Sequence, residues 1–233
     1  MISIIIPTYN EEENITKLIK KIFNIPLKIN IIVIDDSKNI LTKIKKIKNV
    51  QYIHRGKKLG RGSAVLIGIK ESLKNKRNRI IIEMDADFSH RTQEILPNIK
   101  YFNKKKLNFL IASRYLKKSK ILNWPLSRHI LSKFSNLLAR LMLRIPIQDY
   151  TNGFRFYDRK AAKHIIKKCS KSQSSGFILL SEIAMELYIN NFILDERPTI
   201  FINRIRGESK ASLFEIINSF LGLLRLFIKY KLT

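Results

Sequence analysis

Two carboxylates one residue apart, Asp85 and Asp87, close an apolar run in the stretch "IIIEMDADFSH". Acidic groups at the end of a buried strand are costly unless something positive sits on them. Hard divalent cations take oxygen ligands, and Mg²⁺ is commonly held by one or two carboxylates together with substrate phosphates. The spacing therefore points to a metal–diphosphate as the partner of Asp85 and Asp87. Ala86 between them is small enough for close approach, and Ser89 and His90 follow in the turn as further contacts.

Three other stretches carry polar chemistry. In "IPTYNEEENI" the run Ile2–Ile6 stops at Pro7, Asn10 suits an N-cap and Glu13 the capping-box position. Tyr9 has no such structural role and stands in a tight loop, where open α/β sheets bind ligands. "IIVIDDSKN" sets Asp35 and Asp36 at a strand end, either to accept from a ribose or base or to begin a turn. In "KKLGRGSAVLIG", Gly60 and Gly62 open a helix whose N-terminus suits a phosphate. It is neither a P-loop nor a GxGxxG fingerprint.

The elements that must position these residues alternate. Strands are expected at Ile2–Ile6, Ile29–Ile34, Val50–Ile53, Ile80–Met84 and Asn108–Ala112, and helices at Glu11–Phe23, Gly62–Lys74 and Thr92–Phe102. This βαβαβ rhythm predicts an α/β fold, a mostly parallel sheet with helices on both faces. Continuous apolar strands fit a sheet covered on both sides. Beyond about residue 115 the rhythm changes to a basic amphipathic segment, Ser127–Arg144, the stretch Gly153–Tyr157, and helices near Arg159–Lys168, Gly176–Asn190 and Leu213–Lys229.

The chain has 233 residues, with 45 Lys+Arg against 18 Asp+Glu and a net charge of +27. That excess suits a polyanionic partner, nucleic acid or anionic lipid. A nucleotide-biased genome would also enrich Lys, Ile and Asn. The basic residues are spread along the whole chain, with no RRM, KH or zinc-finger pattern, which argues against nucleic acid. The single cysteine, Cys169, allows no internal disulfide. The N-terminus lacks signal-peptide features, and no uncharged apolar stretch reaches the roughly 18 residues of a spanning helix. A peripheral protein on the cytoplasmic face of a membrane is expected.

Eight blocks, "PTYNEEENI", "VIDDS", "KKLGRGSA", "MDADFSH", "ASRY", "DYTNGFRFY", "SGFILLSE" and "NRIRGESK", run in order through nearly the whole chain. Together they resemble the family 2 glycosyltransferases of GT-A fold, in the branch of dolichol-phosphate (polyprenol-phosphate) mannose synthases. The resemblance implies inverting transfer of mannose from GDP-mannose to a polyprenyl phosphate with a divalent cation, Mg²⁺ or Mn²⁺. It implies that Pro7, Tyr9, Glu11, Asp35 or Asp36, and Asp85 hold the nucleotide. Asp85 and Asp87 match the metal-binding pair, and Ser89 takes the place of a metal-contacting Gln. Arg114 matches an acceptor-phosphate arginine, Arg204 and Lys210 match basic residues at the two phosphate groups, and Arg128 joins them. Departures are the shortened "DDSKNI" and Leu180 where a Gln is common. The absence of a Q-x-x-R-W motif argues against a processive polymerase. A related transferase using another donor such as UDP-glucose is the alternative.

A phosphate monoester, with a second pKa near about 6, is already largely anionic at neutral pH. Such a nucleophile needs positioning and charge neutralisation more than a base. Asp149 is the remaining carboxylate for orienting acceptor or sugar, or else a turn residue. The segment Ser127–Arg144 puts Ile130, Leu131, Phe134, Leu137, Leu138, Leu141 and Met142 on one stripe, with Arg128, Lys133, Arg140 and Arg144 off it. The stripe suits a membrane interface or a core-docked helix, and the isoprenoid acceptor that the resemblance implies favours the membrane. A catalytic domain over 1–210 and a tail helix over 211–233 are expected. The tail would meet lipid, a small membrane-anchoring subunit or its own domain.

Overall fold

The computed structural model describes residues 1–172, 174, 176–203 and 213–231, the last helix by its backbone alone over 213–219 and at 231. The chain runs β1 (Ile2–Thr8), α1 (Glu12–Phe23), β2 (Ile29–Asp35), α2 (Thr42–Lys45), β3 (Val50–His54), α3 (Arg61–Lys74) and β4 (Ile80–Glu83). A 3₁₀ turn at Thr92–Glu94 leads into α4 (Ile95–Lys104), then β5 (Phe109–Ser113), β6 (Lys120–Leu122), α5 (Leu126–Leu143) and β7 (Arg155–Asp158). The rest is α6 (Arg159–Cys169), α7 (Gly176–Ile189), β8 (Leu194–Pro198), β9 (Ile200–Ile202) and α8 (Leu213–Lys231).

Seven strands form one sheet in the order β3-β2-β1-β4-β7-β5-β8, and β6 pairs β9 separately. All pairings in the large sheet are parallel except those of β7, which is antiparallel to β4 and β5. The expected mostly parallel sheet is therefore present. The stretch Gly153–Tyr157 supplies its one reversed strand, β7, inserted between β4 and β5, and β6, β8, β9 and α2 add to the elements expected. From β1 the chain winds outward to β2 and β3, then returns to β4 on the other side of β1. The crevice at the carboxyl ends of β1 and β4 is thus a topological switch point, where open α/β sheets bind ligands.

Side chains alternate between the faces with the two-residue period of a strand. Ile4, Ile6, Val33, Ile82, Leu110 and Phe156 bury themselves with α1 residues Ile15, Leu18, Ile19 and Ile22 and with Ile95 and Ile99 of α4. Ile5, Ile81, Phe109, Ile111 and Tyr157 face the other way, against Val65 and Ile69 of α3, Ile165 of α6 and Ile183 of α7. Helices therefore cover both faces. Pro7 does not end β1. It pairs opposite Ile34 of β2, while the β1–β4 register ends at Ile5–Glu83. A residue without an N–H is tolerated where the ladder on its donor side has already stopped.

Asn10 is not the helix cap expected of it. It takes φ 56, in the left-handed region, and its N–H donates to Ser37 Oγ at 2.8 Å. Glu11 holds the cap position and accepts from Asn14 Nδ2 at 2.7 Å. The left-handed turn bends the β1 loop towards the β2 loop, which a capping geometry would not.

The close approach of α3 to β1 rests on Gly68, whose added Cβ would fall 2.3 Å from Ile5 Cγ2. Gly68→Ala gains about 1 kcal/mol of helix propensity, but overpacking costs typically 1–3 kcal/mol. The expected net is a destabilised protein, read as a lower urea midpoint with an unchanged slope.

Candidate active site

The polar motifs that follow β1, β2, β4 and β5 are brought to the carboxyl edge of the sheet. β1 delivers Tyr9 and Glu11, β2 delivers Asp35 and Asp36, β4 delivers Asp85 and Asp87, and β5 delivers Arg114. Because β7 runs antiparallel, its entry loop, 149–154, arrives at the same edge. That is how Asp149, over thirty residues downstream, reaches Arg114.

Arg114 and Asp149 form a buried bidentate pair. Nε donates to Oδ2 at 2.8 Å and Nη2 to Oδ1 at 2.7 Å, with the Arg114 backbone N–H adding a third bond to Oδ2 at 2.9 Å. Burial pushes the Asp149 carboxyl up, but the Arg114 charge and its hydrogen bonds outweigh this and hold it below the usual range. Nη2 also donates to Thr151 Oγ1 at 2.6 Å. The guanidinium lies 5.4–5.5 Å from the ring centroids of Tyr115, Trp124 and Phe201. Asp149 is fully buried. Of its two expected roles, touching substrate or shaping a turn, the geometry supports the turn, since Oδ1 accepts from the Thr151 and Asn152 N–H groups at 3.2 and 2.9 Å, and it adds a third: Asp149 orients Arg114.

Asn152 extends this network to the D-x-D loop. Its N–H donates to Asp149 Oδ1 at 2.9 Å, its Nδ2 donates to the Ala112 carbonyl, and its Oδ1 pairs with His90 Nε2 at 3.0 Å. His90 Nδ1 accepts from the Asp85 backbone N–H at 3.0 Å, which places the imidazole proton on Nε2. The ring stacks on Phe154 and meets Phe201 edge-on. Both nitrogens are thus engaged inside the protein. The expectation of His90 as a further metal contact is corrected: it braces the loop.

Asp85 and Asp87 differ. Arg61 donates to Asp85 Oδ1 from Nε at 2.9 Å, and its Nη2 lies 2.8 Å from the same oxygen. Burial works to raise the Asp85 carboxyl, but Arg61, His90 and Arg114 together hold it low. Among the described residues Asp87 carries no ion pair, and its Oδ1 caps the turn by accepting from the Ser89 N–H at 3.0 Å. Ser89 is buried, with no hydrogen-bond partner for Oγ among the described residues. No group of three or more His, Cys, Asp or Glu among those residues is arranged to hold a metal alone. Two carboxylates with one uncommitted oxygen each fit a hard cation whose shell is completed by phosphate oxygens.

Asp35 and Asp36 are both buried and engaged internally. Asp35 accepts from Ser37 N–H at 3.0 Å and from Tyr52 Oη at 2.6 Å. Asp36 accepts from Arg55 Nε at 2.5 Å and from the Leu59 and Gly60 N–H groups at 2.8 and 2.9 Å. It thereby shapes the loop that launches α3. Tyr9 is exposed, with Lys58 Nζ 5.2 Å from its ring centroid. Arg128 lies over Trp124 at 4.4 Å and donates to Asn203 Oδ1 at 2.8 Å. Arg204 and Lys210 lie outside the described residues, as does the expected domain boundary at 210.

Arg61, Glu83 and Asn152 went unnoticed in the sequence. Only Glu83 carried a signal, a lone charge inside "IIIEM" that demands a buried partner.

Comparison with known proteins follows this geometry. The glucosyl-3-phosphoglycerate synthase of Mycobacterium tuberculosis, in complex with Mn²⁺, UDP-glucose and phosphoglyceric acid, superposes with TM-score 0.66 at 16% identity, over 97% of this chain and 79% of that one. Its complex with Mg²⁺ and UDP superposes with TM-score 0.65 at 16% identity, over 97% and 78%. The fold is that of the GT-A glycosyltransferases. A family profile, "Glycosyl transferase family 2", matches residues 3–166, and the chain belongs to that family. A "Polyprenol monophosphomannose synthase" of Mycolicibacterium smegmatis is 31% identical over 90% of this chain and 80% of its own length. A "Dolichol-phosphate mannosyltransferase" of Pyrococcus furiosus is 32% identical over 96% of this chain and 64% of its own length.

Asp149→Ala leaves Arg114 buried without its counter-charge, and breaking such a pair costs about 3–5 kcal/mol. The double variant Arg114→Met/Asp149→Leu is expected to lose less than the sum of the single changes in a urea double-mutant cycle. The depressed carboxyl also sets a pH dependence. Below the ordinary carboxylate range the unfolded state binds more protons. Stability from the pair is therefore present above about pH 4 and falls as pH drops further; Arg114→Met/Asp149→Leu flattens that slope.

Proposed function

We propose that this glycosyltransferase moves mannose from GDP-mannose to a polyprenyl phosphate such as dolichyl phosphate, with inversion at the anomeric carbon. The observation that carries the reading is the meeting, on one sheet edge, of the Asp85/Asp87 pair and Arg114, linked through Asp149, Asn152 and His90. The names of the two relatives support mannose as the sugar and a polyprenyl phosphate as the acceptor class.

In this reading Pro7, Tyr9 and Glu11 line the nucleotide's side of the edge. Asp35 and Asp36 lie there too. With both carboxylates occupied internally, a contact from either to the base exchanges an existing bond. Asp85 and Asp87 hold a divalent cation, Mg²⁺ or Mn²⁺, with Ser89 Oγ as the nearest neutral oxygen in sequence. The bound cation supplies neutralisation of charge on the departing diphosphate. An oxygen of the lipid phosphate attacks C1 of the sugar, the C1–O bond to the nucleoside diphosphate breaks, and its electron pair leaves with the diphosphate. The nucleophile is already anionic, so the protein's task is to hold two mutually repelling phosphate groups together. Arg114, Arg128, Arg204 and Lys210 are assigned that task.

The membrane surface is the proposed source of the acceptor. Along α5, Leu126, Ile130, Phe134, Leu137 and Leu141 are exposed, Leu126 to 74% and Ile130 and Leu141 to 61%. Their spacing of four, four, three and four makes one outward stripe. Leu138 and Met142 instead pack on the core. The apolar arc expected in the sequence is thus shared between core and surface. On α8, which packs against α5 and α7, Leu223 and Leu226 are buried while Phe220, Leu221, Leu224 and Ile228 are exposed. Lys229 Nζ donates to Glu182 Oε1 at 2.8 Å and Tyr230 Oη to Glu186 Oε1 at 2.6 Å. Among the described residues no helix is long and apolar enough to cross a membrane. The tail helix is both docked and, in this reading, membrane-facing, with or without a small anchoring subunit. No nucleic-acid role is proposed.

Asp87→Asn is expected to lower transfer at least a hundredfold with the far-UV spectrum unchanged. The assay offers labelled GDP-mannose and UDP-glucose to dolichyl phosphate with and without Mg²⁺. Transfer from UDP-glucose alone, or metal-independent turnover by the variant, overturns the reading. For the membrane, Phe134→Glu/Leu141→Glu changes only outward positions, so the protein stays folded and liposome flotation falls. Undiminished flotation removes α5 from the interface.

A further inference from the structure

Arg61, the first residue of α3, stands between two carboxylates that belong to the same strand end. Its Nη1 lies 2.5 Å from Glu83 Oε1, a close ion pair without the alignment of a hydrogen bond, and its Nη2 and Nε reach Asp85 Oδ1. Glu83 is fully buried, and its other oxygen accepts from Tyr157 Oη at 2.8 Å. Among the described residues Arg61 is the cation paired with Glu83. The guanidinium occupies a built socket. A Cβ on Gly153 would fall 1.9 Å from Nη2, so that position has room for Arg61 only as glycine. The backbone of Gly60, which precedes it, is pinned by Asp36.

We infer that Arg61 is a positioning residue that acts as a resident cation for Asp85, so that a divalent cation enters this site together with a nucleoside diphosphate and not on the bare protein. The inference rests on the proposed metal role of Asp85 and Asp87. Its logic is charge balance. An arginine and a divalent cation on one carboxylate repel each other. Arg61 does not withdraw, because that would strand a buried glutamate. The incoming cation therefore needs anionic oxygens of its own, and a diphosphate brings them. The same guanidinium keeps Asp85 oriented.

The test uses Mn²⁺ as the probe, followed by the electron-paramagnetic-resonance signal of the free ion, on the full chain with and without GDP. Wild-type protein is expected to bind Mn²⁺ at least tenfold more tightly with GDP. Arg61→Met alone leaves Glu83 without a counter-charge and is prone to misfold, so the decisive variant is Arg61→Met/Glu83→Gln, which removes both charges. It is expected to bind Mn²⁺ at least tenfold more tightly than wild type without GDP, and the gain from GDP shrinks below threefold. Arg61→Lys keeps the charge and the weak binding. A folded double variant with wild-type affinity, or a wild type that binds equally with and without GDP, overturns the inference. Asp87→Asn separates the two readings. If it leaves Mn²⁺ binding with GDP intact, the metal assignment fails and the inference with it. If it abolishes binding while the double variant behaves as wild type, only the inference fails.

Discussion

A single buried guanidinium, that of Arg155, ties the reversed strand to the site. It is fully buried, and its partners are three carbonyls: Nε donates to Asn152 O, Nη1 to Leu180 O and Nη2 to Tyr150 O, each at 2.7 Å. A buried charge is tolerated only when its donors are satisfied, and here the loop 150–152 must fold back over Arg155 to satisfy them. That fold sets Asn152 beside His90 and Asp149 beside Arg114. The same guanidinium reaches α7 through Leu180. The two sides of the edge, D-x-D and arginine, are thus held in register by one residue that touches neither.

The site is built of charges that are already paired before any ligand arrives. Arg114 has Asp149, Asp85 has Arg61, and Asp36 has Arg55. Such pairs add little net stability once desolvation is counted. Their benefit is geometric, since fixed charges need no reorganisation when substrate charge appears. Asp35 and Asp87 carry no ion pair among the described residues, but Asp35 is held by Ser37 and Tyr52. Asp87 accepts from the Ser89 N–H and has the smaller internal commitment, which suits it to an incoming cation.

The fold was largely legible because its signals are local. Short β-branched runs and amphipathic helices declare a two-sided sheet wherever the chain is read, so β1 to β5, α1 and α3 were expected within a residue or two. The place of Gly153–Tyr157 was not. An antiparallel strand inserted between β4 and β5 is a long-range pairing, and nothing in "FRFY" states its partners. The functional positions were legible as types and less so as roles. Asp149 looked like a ligand or a turn; it does shape the turn at Thr151 and Asn152, and its pairing with Arg114, far away in sequence, adds the orienting role. His90 looked like a metal contact, and two neighbours, Asp85 N–H and Asn152, take both its nitrogens. Asn10 looked like a cap, and a tertiary bond to Ser37 outweighs the local motif. In each case a contact across many residues decided the role, which spacing cannot reveal.

In the proposed reading, helix α5 meets two demands. Its inner face carries Asn136, which accepts from the Tyr150 N–H at 2.7 Å and donates to Thr151 Oγ1 at 3.2 Å, so it buttresses the loop that holds Arg114. Its first turn carries Arg128 over Trp124, close to the aromatic box around Arg114. Its outer face is the exposed row from Leu126 to Leu141. A helix that served only the core would present polar residues outward, and one that served only a membrane would not bury an asparagine. Burying the outer row in lipid is favourable at about 25 cal/mol per Å². The same rigid rod would then set the depth of Arg128 and Arg114 relative to the bilayer surface. For an acceptor whose phosphate lies at the headgroup level and whose chain lies below it, that depth is the quantity the enzyme must control. In the proposed reading, a helix shared between site and surface would control it without a moving part.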